Sequence, residues 1–289
     1  MNAVCVYHEK DFDGMGSACV VKKWLDANNI NGEFIGWDYG KPIPVFEDYD
    51  MVFVVDLSLG LENMKLLANS NKDFIWIDHH KSAIDEYGNY IADTGDEFMR
   101  GLWTVKKAAI ENCWDYLFAG EPMPKYIELL GMYDSWRGSE TSAWKEEIYP
   151  FQLYCKSQFS DWESMYRILF LENNPKLTHH IAVEYGKCIL DYVTMEDSFR
   201  AKHQAYERTF DGLRAICLVG VIGSPSFDAV YDPSKHDIMI ALRYDGTQWN
   251  CSIYTTHEHI DCSDICKRHG GGGHRKASGF RTTDTSQLL

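Results

Sequence analysis

The chain has 289 residues and a formal net charge of −15, with 45% hydrophobic and 25% charged residues. This composition is typical of a soluble globular protein, and the length leaves room for two domains and a sizeable core. The acidic excess argues against long nucleic acid as a partner, because binding a phosphate backbone needs a broad basic surface.

The N-terminus and the cysteines predict a cytoplasmic protein. Residues 1–4 lack the basic region of a signal peptide, and no apolar stretch approaches the roughly 20 residues that cross a bilayer. The nine cysteines are scattered, mostly within apolar segments, as expected of buried, reduced thiols. We therefore expect no membrane partner.

Residues 1 to about 135 alternate short apolar runs with helix-like segments, which predicts βαβ units and a mostly parallel sheet with helices on both faces. Residues 14–28 have apolar side chains at helical spacing and form the first predicted helix. Residues 99–118 are predicted as one long helical stretch, which ends at the Gly- and Pro-containing break 120–124.

Four apolar runs in this part of the chain lead directly into acidic or imidazole side chains. The runs are 4–7, 51–55, 74–77 and 128–133, and the side chains that follow them are His8, Asp11 and Asp13, then Asp56, then Asp78, His79 and His80, and finally Asp134. Ligands of a parallel α/β sheet bind at the carboxyl ends of its strands. One sheet could therefore gather these side chains around one crevice.

Each acid taken alone is typical of a turn or a helix cap, and Asp-x-Asp-Gly before a helix is ordinary turn chemistry. Two adjacent imidazoles and a carboxylate at the end of a buried strand are costly unless they bind something. Carboxylates interleaved with imidazoles, without clustered thiolates, suit ions such as Mn²⁺ better than structural zinc. The whole set therefore favours metal binding.

The character of the sequence changes in the last third of the chain. The charged segment 197–208 predicts a helical connector, and residues 213–222, 237–243 and 249–255 read as strands. Residues 261–269 read as a short helix that ends in a run of four glycines. These elements predict a smaller mixed α/β domain, with the domain boundary between residues 195 and 211.

These motifs resemble those of the DHH phosphoesterases. The chain contains His8-Glu9-Lys10-Asp11-Phe12-Asp13-Gly14, a lone Asp56, Asp78-His79-His80 and a later Asp134, in the order of the four family motifs. Residues 270–280, Gly-Gly-Gly-Gly-His-Arg-Lys-Ala-Ser-Gly-Phe, are similar to the signature of the DHH-associated domain. The compact layout is similar to the nano-RNase or oligoribonuclease-like branch.

The resemblance implies a two-metal site. His8, Asp11 and Asp56 would hold one Mn²⁺ ion, and Asp13, Asp56, His79 and Asp134 the other, with Asp56 bridging the two and Mg²⁺ as a substitute. Among the catalytic candidates, which are Asp56, Asp78 and His80, it gives His80 a contact with the substrate phosphate. Asp78 would orient an imidazole.

The resemblance also implies that the C-terminal domain recognises the substrate. The residues it implicates are Gly271, Gly272, Gly273, His274, Arg275 and Ser278. Without the residues that follow, the glycines would be a flexible tight turn between a helix and a strand. Arg137, close after Asp134, could reach a phosphate, as could Arg100. For both arginines, pairing with a carboxylate is an equal alternative.

The predicted organisation is a DHH metal-dependent phosphoesterase domain at 1–195, a connector at 196–211 and a DHH-associated substrate-binding domain at 212–289, with the active site in the cleft between the domains. The predicted function is metal-dependent hydrolysis of a short nucleotide substrate, such as a dinucleotide, nano-RNA, the linear product of a cyclic dinucleotide or adenosine bisphosphate. The alternatives are a cyclic-dinucleotide phosphodiesterase, a short-chain polyphosphate hydrolase and a non-catalytic nucleotide-binding module. A homodimer is left open.

Overall fold

The computed structural model describes residues 1–70, 73–171, 179–221 and 223–289. The chain divides into two compact units, residues 1–189 and 190–289. The first unit contains five parallel strands, which are β1 (Asn2–His8), β2 (Asn31–Trp37), β3 (Met51–Val55), β4 (Asp73–Asp78) and β5 (Arg100–Trp103). Their order in the sheet is β2-β1-β3-β4-β5, so β1, β3 and β4 are adjacent.

The α-helices of the first unit follow the strands in βαβ fashion, and the last of them continues into the second unit. They are α1 (Phe12–Ala27), α2 (Leu61–Ser70), α3 (Lys81–Thr94), α4 (Ala109–Leu117), α5 (Lys125–Asp134), α6 (Tyr149–Gln158), α7 (Trp162–Tyr166) and α8 (His179–Gln204). Two π-helical segments, Trp144–Ile148 and Arg167–Leu171, precede α6 and follow α7.

The central strands are apolar on both faces, because helices cover both sides of the sheet. In β4, Ile75 and Ile77 pack into one hydrophobic cluster and Phe74 and Trp76 into another. The first cluster includes side chains of α1, α4, α5 and α6, and the second includes those of α2 and α3. Each fully buried side chain of this size contributes about 1.5–3 kcal/mol to folding. The predicted parallel sheet with helices on both faces is confirmed.

The long helix predicted over residues 99–118 is wrong. Its first part is β5, whose Arg100, Gly101 and Leu102 pair with Ile75, Trp76 and Ile77 of β4. Only the later part is helical, as α4. Gly101 has φ +142°, and a Cβ there would overlap the carbonyl oxygen of Trp76. Sheet pairing, which depends on β4, therefore overrides the helical spacing of the local sequence.

The second unit contains a six-stranded mixed sheet. Its strands are β6 (Tyr206–Phe210), β7 (Leu213–Val219), β8 (Ile238–Tyr244), β9 (Trp249–Tyr254), β10 (Gly272–Gly273) and β11 (Ala277–Thr282), in the order β10-β11-β9-β8-β7-β6. β7 and β8 are parallel, and the other neighbouring pairs are antiparallel. Helix α9 (Cys262–Arg268) packs in its core. The predicted mixed α/β character is confirmed.

The predicted helical connector is shorter than expected. Helix α8 ends at Gln204, and residues 206–210, which were assigned to the connector, form β6. Residue 222, the end of the predicted strand 213–222, lies outside the described residues. Among the helices of the described ranges, none has the length and the apolar composition needed to cross a membrane.

Gly14 allows α1 to begin directly behind the end of β1. A Cβ at Gly14 would overlap the backbone carbonyl of His8, which cannot move away without shifting β1. We expect Gly14→Ala to lower the free energy of unfolding by about 2 kcal/mol or more, measured by urea denaturation. Gly88→Ala is the matched control, because Gly88 lies on α3 with nothing within 4 Å of its Cβ position. The control should gain up to about 1 kcal/mol from helix propensity, and equal losses in both variants would contradict this account.

Candidate metal centre

The ends of three adjacent parallel strands bring the first set of candidate ligands together. His8 is the last residue of β1, and Asp56 follows β3 directly. Asp78 ends β4, and His79 and His80 follow it before α3 begins. Because β1, β3 and β4 are neighbours with the same direction, their carboxyl ends meet at one edge of the sheet.

The start of α1 contributes two carboxylates to the same edge. Asp11 caps the helix, with Oδ1 accepting a hydrogen bond from the N–H of Gly14 at 3.0 Å. Asp13 lies in the first turn and accepts hydrogen bonds from the N–H groups of Ala109 and Ile110, both at 2.8 Å. Those amides open α4, whose N-terminus favours a negative charge. Asp13 is therefore held in place from two helices.

Asp134 reaches the site from a helix, whereas the sequence suggested a strand. It is the last residue of α5, and its Oδ2 lies 3.3 Å from Nε2 of His79. A carboxylate at a helix C-terminus is disfavoured by the helix dipole. A bound cation beside Asp134 would offset that cost.

The structure groups these side chains into three overlapping sets, in each of which the ligand atoms lie within 4.8 Å of one another. The sets are His8, Asp11 and Asp56; Asp13, His79 and Asp134; and Asp56, His79 and His80. All six predicted metal ligands belong to at least one set. Asp56 belongs both to the set with His8 and to the set with His80, and His79 links the latter to the set with Asp13 and Asp134.

Asp56 lies at the centre of these contacts. It is 1% exposed, and within the described part of the chain neither of its carboxylate oxygens has a hydrogen-bond partner. Its Oδ2 lies 3.6 Å from Nδ1 of His8, and its Oδ1 lies 3.4 Å from Nε2 of His79. The backbone adopts φ +58° at Asp56, a left-handed conformation that aspartate tolerates better than most residues. Two buried carboxylate oxygens whose neighbouring imidazoles lie beyond the usual hydrogen-bond distance suit a divalent cation.

The electrostatics of the metal-free site point the same way. Burial raises the pKa of Asp56 and of Asp13 well above its usual value, and neighbouring carboxylates add to both shifts. Burial alone would lower the pKa of His8, but the carboxylates of Asp11 and Asp56 outweigh it and raise that pKa to about 11. These pKa shifts indicate that the clustered carboxylates need positive charge beside them, which protons or bound cations can supply.

Asp78 is directed at His80. Asp78 is fully buried, and its Oδ1 lies 2.7 Å from Nδ1 of His80. The same oxygen accepts the backbone N–H groups of His79 and His80 at 2.7 and 3.2 Å. Burial lowers the pKa of His80, but the Asp78 carboxylate outweighs it and raises that pKa to about 9. Asp78 therefore fixes the orientation of the His80 ring.

Sequence reasoning missed one carboxylate near the site. Asp38 follows β2, and its Oδ1 lies 3.6 Å from Nε2 of His8. The signal was the same as for Asp56, because the largely apolar run 34–37 leads directly into Asp38. The backbone amides at the start of α4 were also missed, since α4 lay inside a segment predicted as one long helix.

Both arginines that were considered for phosphate binding are paired with carboxylates. Arg137 forms an ion pair with Glu111, which is 1% exposed, and its Nε donates to Oγ of Ser135 at 2.9 Å. Arg100 lies 2.7 Å from Asp73. Of the two alternatives for these arginines, phosphate contact or pairing with a carboxylate, the structure shows the carboxylate pairs. A phosphate contact by Arg137 stays a prediction.

The glycine run lies in the second unit, and its residues differ in their surroundings. Gly271 lines an open pocket of about 420 Å³, together with Ser252 and Arg281. Gly272 and Gly273 form β10, at the edge of the sheet.

The residues after the glycine run are partly engaged by the protein itself. His274 and Arg275 are exposed, and a guanidinium nitrogen of Arg275 donates to the carbonyl of Glu258 at 2.6 Å. The Ser278 hydroxyl is buried and donates to the carbonyl of His274 at 2.6 Å. The substrate roles of these residues stay predictions.

Comparison with known proteins confirms the family resemblance. Residues 3–96 match the family model described as the DHH family, N-terminal domain. Two curated relatives are each 24% identical over 96% of this chain. They are an uncharacterized protein of Acanthamoeba polyphaga mimivirus, of whose length the chain spans 66%, and the oligoribonuclease NrnB of Bacillus subtilis, of whose length it spans 73%.

Solved structures share the fold at low sequence identity. The DHH domain of a member of a family of ribosomal proteins has a TM-score of 0.56 at 14% identity, covering 96% of this chain and 82% of that one. RecJ of Thermus thermophilus in complex with Mn²⁺ has a TM-score of 0.52 at 16% identity, covering 99% and 50%. The pGpG-specific phosphodiesterase PggH of Vibrio cholerae has a TM-score of 0.51 at 11% identity, covering 97% and 93%.

Replacing Asp56 should have opposite effects on stability with and without metal. In the metal-free fold the pKa of Asp56 is raised from 3.8, so the folded state binds a proton that the unfolded chain releases. Stability therefore falls as the pH rises above about 4, and Asp56→Asn should raise the metal-free Tm at pH 7.5. With Mn²⁺ at 100 times its Kd, the wild type should gain about 2.7 kcal/mol, and Asp56→Asn much less.

Thermal unfolding with chelator and with Mn²⁺ measures both effects. Asp93→Asn is the control, because it makes the same chemical change at an exposed position on α3 and should alter neither Tm. A metal-free Tm that falls in Asp56→Asn, or an undiminished gain from Mn²⁺, would contradict the assignment of Asp56 as a buried metal ligand.

Proposed function

Because residues 3–96 of this chain match the model of the DHH family, N-terminal domain, we propose that the protein is a metal-dependent phosphodiesterase of short nucleotide substrates. The observation that carries the proposal is the carboxylate of Asp56, buried without a hydrogen-bond partner between His8 and His79. Such a group is costly in a folded protein unless a cation binds it. The surrounding donors are oxygen and imidazole nitrogen, which suit Mn²⁺, with Mg²⁺ as a substitute.

In this proposal two ions share Asp56. His8 and Asp11 complete the first group of ligands, and Asp13, His79 and Asp134 complete the second. Bound ions of this kind lower the pKa of water and neutralise charge on a phosphoryl group.

The chain's own residues orient the substrate. His80 contacts its phosphate, held by Asp78 at 2.7 Å. Asp13 stays fixed by the amides of Ala109 and Ile110, so the second group of ligands is ordered before the substrate arrives.

Two observations favour short substrates, the negative net charge of the chain and the activities named for two similar proteins. A net charge of −15 opposes the binding of a long polyanion, whereas an ion-filled site attracts a single phosphodiester. Among similar proteins are an oligoribonuclease and a pGpG-specific phosphodiesterase. Dinucleotides and very short oligonucleotides are therefore the proposed substrate class, and a cytoplasmic location is proposed with them.

A substrate panel tests the proposal. The purified protein is incubated with Mn²⁺ and linear dinucleotides, cyclic dinucleotides, adenosine bisphosphate, longer RNA or polyphosphate, and products are separated by chromatography. We expect linear dinucleotides to be hydrolysed fastest. Preferred opening of cyclic dinucleotides or release of phosphate from polyphosphate would replace the proposed substrate, and no hydrolysis of any member would leave a nucleotide-binding module.

Asp56→Asn should abolish the activity that the panel identifies. Loss of the charge shared by both ions should lower kcat at least about a hundredfold, because it removes stabilisation of the charged transition state. The measurement is steady-state hydrolysis of the best substrate, with Asp93→Asn as the control that retains wild-type turnover. A folded Asp56→Asn protein that keeps more than about a tenth of wild-type turnover would exclude the bridging role.

His274→Ala should impair binding of nucleotides without affecting the metal centre. His274 is exposed and follows the glycine run of the second unit, so we propose that it contacts a remote part of the substrate. We expect a raised KM for dinucleotides, some loss of kcat, unchanged bound Mn²⁺ and nearly normal cleavage of bis-p-nitrophenyl phosphate. His259→Ala, at an exposed position of the same unit, is the control. Equal damage to both substrates would remove His274 from substrate recognition.

A further inference from the structure

Four aromatic rings from residues on both sides of the metal-ligand candidate Asp134 pack on one another as stacked pairs. This aromatic stack consists of Trp136, Trp144, Tyr133 and Tyr149. The rings of Trp136 and Trp144 are 5.4 Å apart and inclined by 13°, and those of Trp144 and Tyr133 are 5.3 Å apart and inclined by 10°. The ring of Tyr149 lies 5.9 Å from that of Tyr133 and 6.4 Å from that of Trp144, so it packs against both inner rings. The order of the rings makes Trp136 the outer member.

Trp136 is more exposed to solvent than the inner members of the stack. Tyr133 and Trp144 are partly buried and pack against the hydrophobic core of the first unit. Trp136 is 48% exposed, and the near-parallel ring of Trp144 covers one of its faces. A tryptophan buries more apolar area than almost any other side chain when it can. The exposed half of the Trp136 side chain therefore contributes no hydrophobic stabilisation to the fold.

The backbone at Trp136 adopts a conformation that bulky residues rarely take. Its φ is +56°, in the left-handed region, which costs on the order of 1–3 kcal/mol for a residue other than glycine. The turn is secured by its neighbours. The N–H of Trp136 donates to the carbonyl of Tyr133 at 3.2 Å, the carbonyl of Trp136 accepts from Ser139 at 3.3 Å, and Arg137 is anchored by the buried Glu111.

The residue that supports Trp136 also begins an uncommon backbone segment. Trp144 is the first residue of the π-helical segment Trp144–Ile148, and π-helical turns are rare and frequently found at functional sites. The two stacked tryptophans, Trp136 and Trp144, thus both lie on uncommon backbone conformations, the first left-handed and the second π-helical. An inner stack that served packing alone would require neither the left-handed turn nor the exposed outer ring.

The aromatic stack lies beside the candidate metal centre within the same unit. Trp136 is two residues from Asp134, so their Cα atoms are at most about 7.6 Å apart. Oδ2 of Asp134 in turn lies 3.3 Å from Nε2 of His79. The exposed indole ring therefore belongs to the same short segment that carries Asp134 to the candidate metal centre.

We propose that the outer face of Trp136 is a stacking platform for a nucleobase of the substrate. The proposal deepens the proposed function and rests on it for the identity of the ligand as a nucleotide. Stacking does not depend on charge, so it attracts a nucleotide to a protein whose net charge of −15 opposes phosphate elsewhere. Every base has an aromatic face, and the platform therefore accepts purines and pyrimidines alike.

Binding of a single nucleotide tests the platform without hydrolysis. Equilibrium dialysis in the presence of Mn²⁺ compares adenosine monophosphate with ribose 5-phosphate, which has the same phosphate and sugar but no base. The wild type should bind adenosine monophosphate about tenfold or more tightly than ribose 5-phosphate, the range expected for one stacked base. Bound Mn²⁺ is measured on each sample by atomic absorption.

The variants separate the ring from the backbone turn. Trp136→Asn removes the ring but retains a residue that accepts the left-handed conformation, and it should bind the two ligands equally. Trp136→Phe keeps an aromatic face and should retain most of the preference for the base. Tyr185→Leu removes an exposed aromatic ring of the same unit outside the stack and should change nothing.

The outcomes distinguish this proposal from the proposed function. A Trp136→Asn protein that binds adenosine monophosphate as tightly as the wild type would overturn the platform, even if dinucleotides are hydrolysed. Loss of bound Mn²⁺ from Trp136→Asn would also overturn it, because Trp136 would then be positioning Asp134. If the base preference depends on Trp136 but no panel member is hydrolysed, the platform stands and the proposed hydrolysis falls.

Discussion

The accumulation of carboxylates at one buried edge of the first sheet is the constraint on which the rest of the site depends. Asp13 and Asp56 are almost fully buried, and Asp11 and Asp134 lie within reach of the same imidazoles. Like charges at this separation oppose one another, and burial removes the water that would screen them. The fold can hold this group of side chains only with compensating positive charge. Protonated histidines supply part of it, and divalent ions would supply all of it.

The surrounding structure reduces that electrostatic cost in separate ways. The amides that open α4 stabilise the charge of Asp13, and the backbone N–H groups of His79 and His80 do the same for Asp78. Asp56 has no such partner. The carboxylates with amide partners are thus held in position by the backbone, whereas the oxygens of Asp56 accept no backbone hydrogen bond in the described part of the chain. Loss of the amide hydrogen bonds would therefore change the positions of the Asp13 and Asp78 carboxylates without removing either group.

Much of this arrangement could be predicted from the sequence, because it follows from strand order. Short apolar runs that end in Asp or His, in a chain that alternates strands and helices, predict side chains gathered at one sheet edge, and His8, Asp56 and His79 lie there. The helical origin of Asp134 and the strand β5 could not be predicted. The apolar run before Asp134 is typical of a strand, and the spacing around residues 100–103 is typical of a helix. In both segments contacts with residues distant in sequence decide which element forms.

The pairing of Arg137 with Glu111 and the exposure of Trp136 depend on tertiary packing in the same way. Glu111 lies on α4 and Arg137 follows α5, so no local pattern links them. A tryptophan in a sequence is most often a core residue. Its left-handed turn and its position at the outer end of a stack appear only once the chain is folded.

All six proposed metal ligands lie between residues 8 and 134, whereas the first strand of the second unit begins at Tyr206. A ribosome that adds about 5–20 residues per second needs roughly 4–15 s to make the 72 residues from 134 to 206. During this interval the nascent chain carries the complete set of acids and imidazoles without the second sheet. The candidate ligands are therefore all synthesised before any strand of the second sheet, so a metal ion could meet its whole ligand set on a chain that still lacks the second unit.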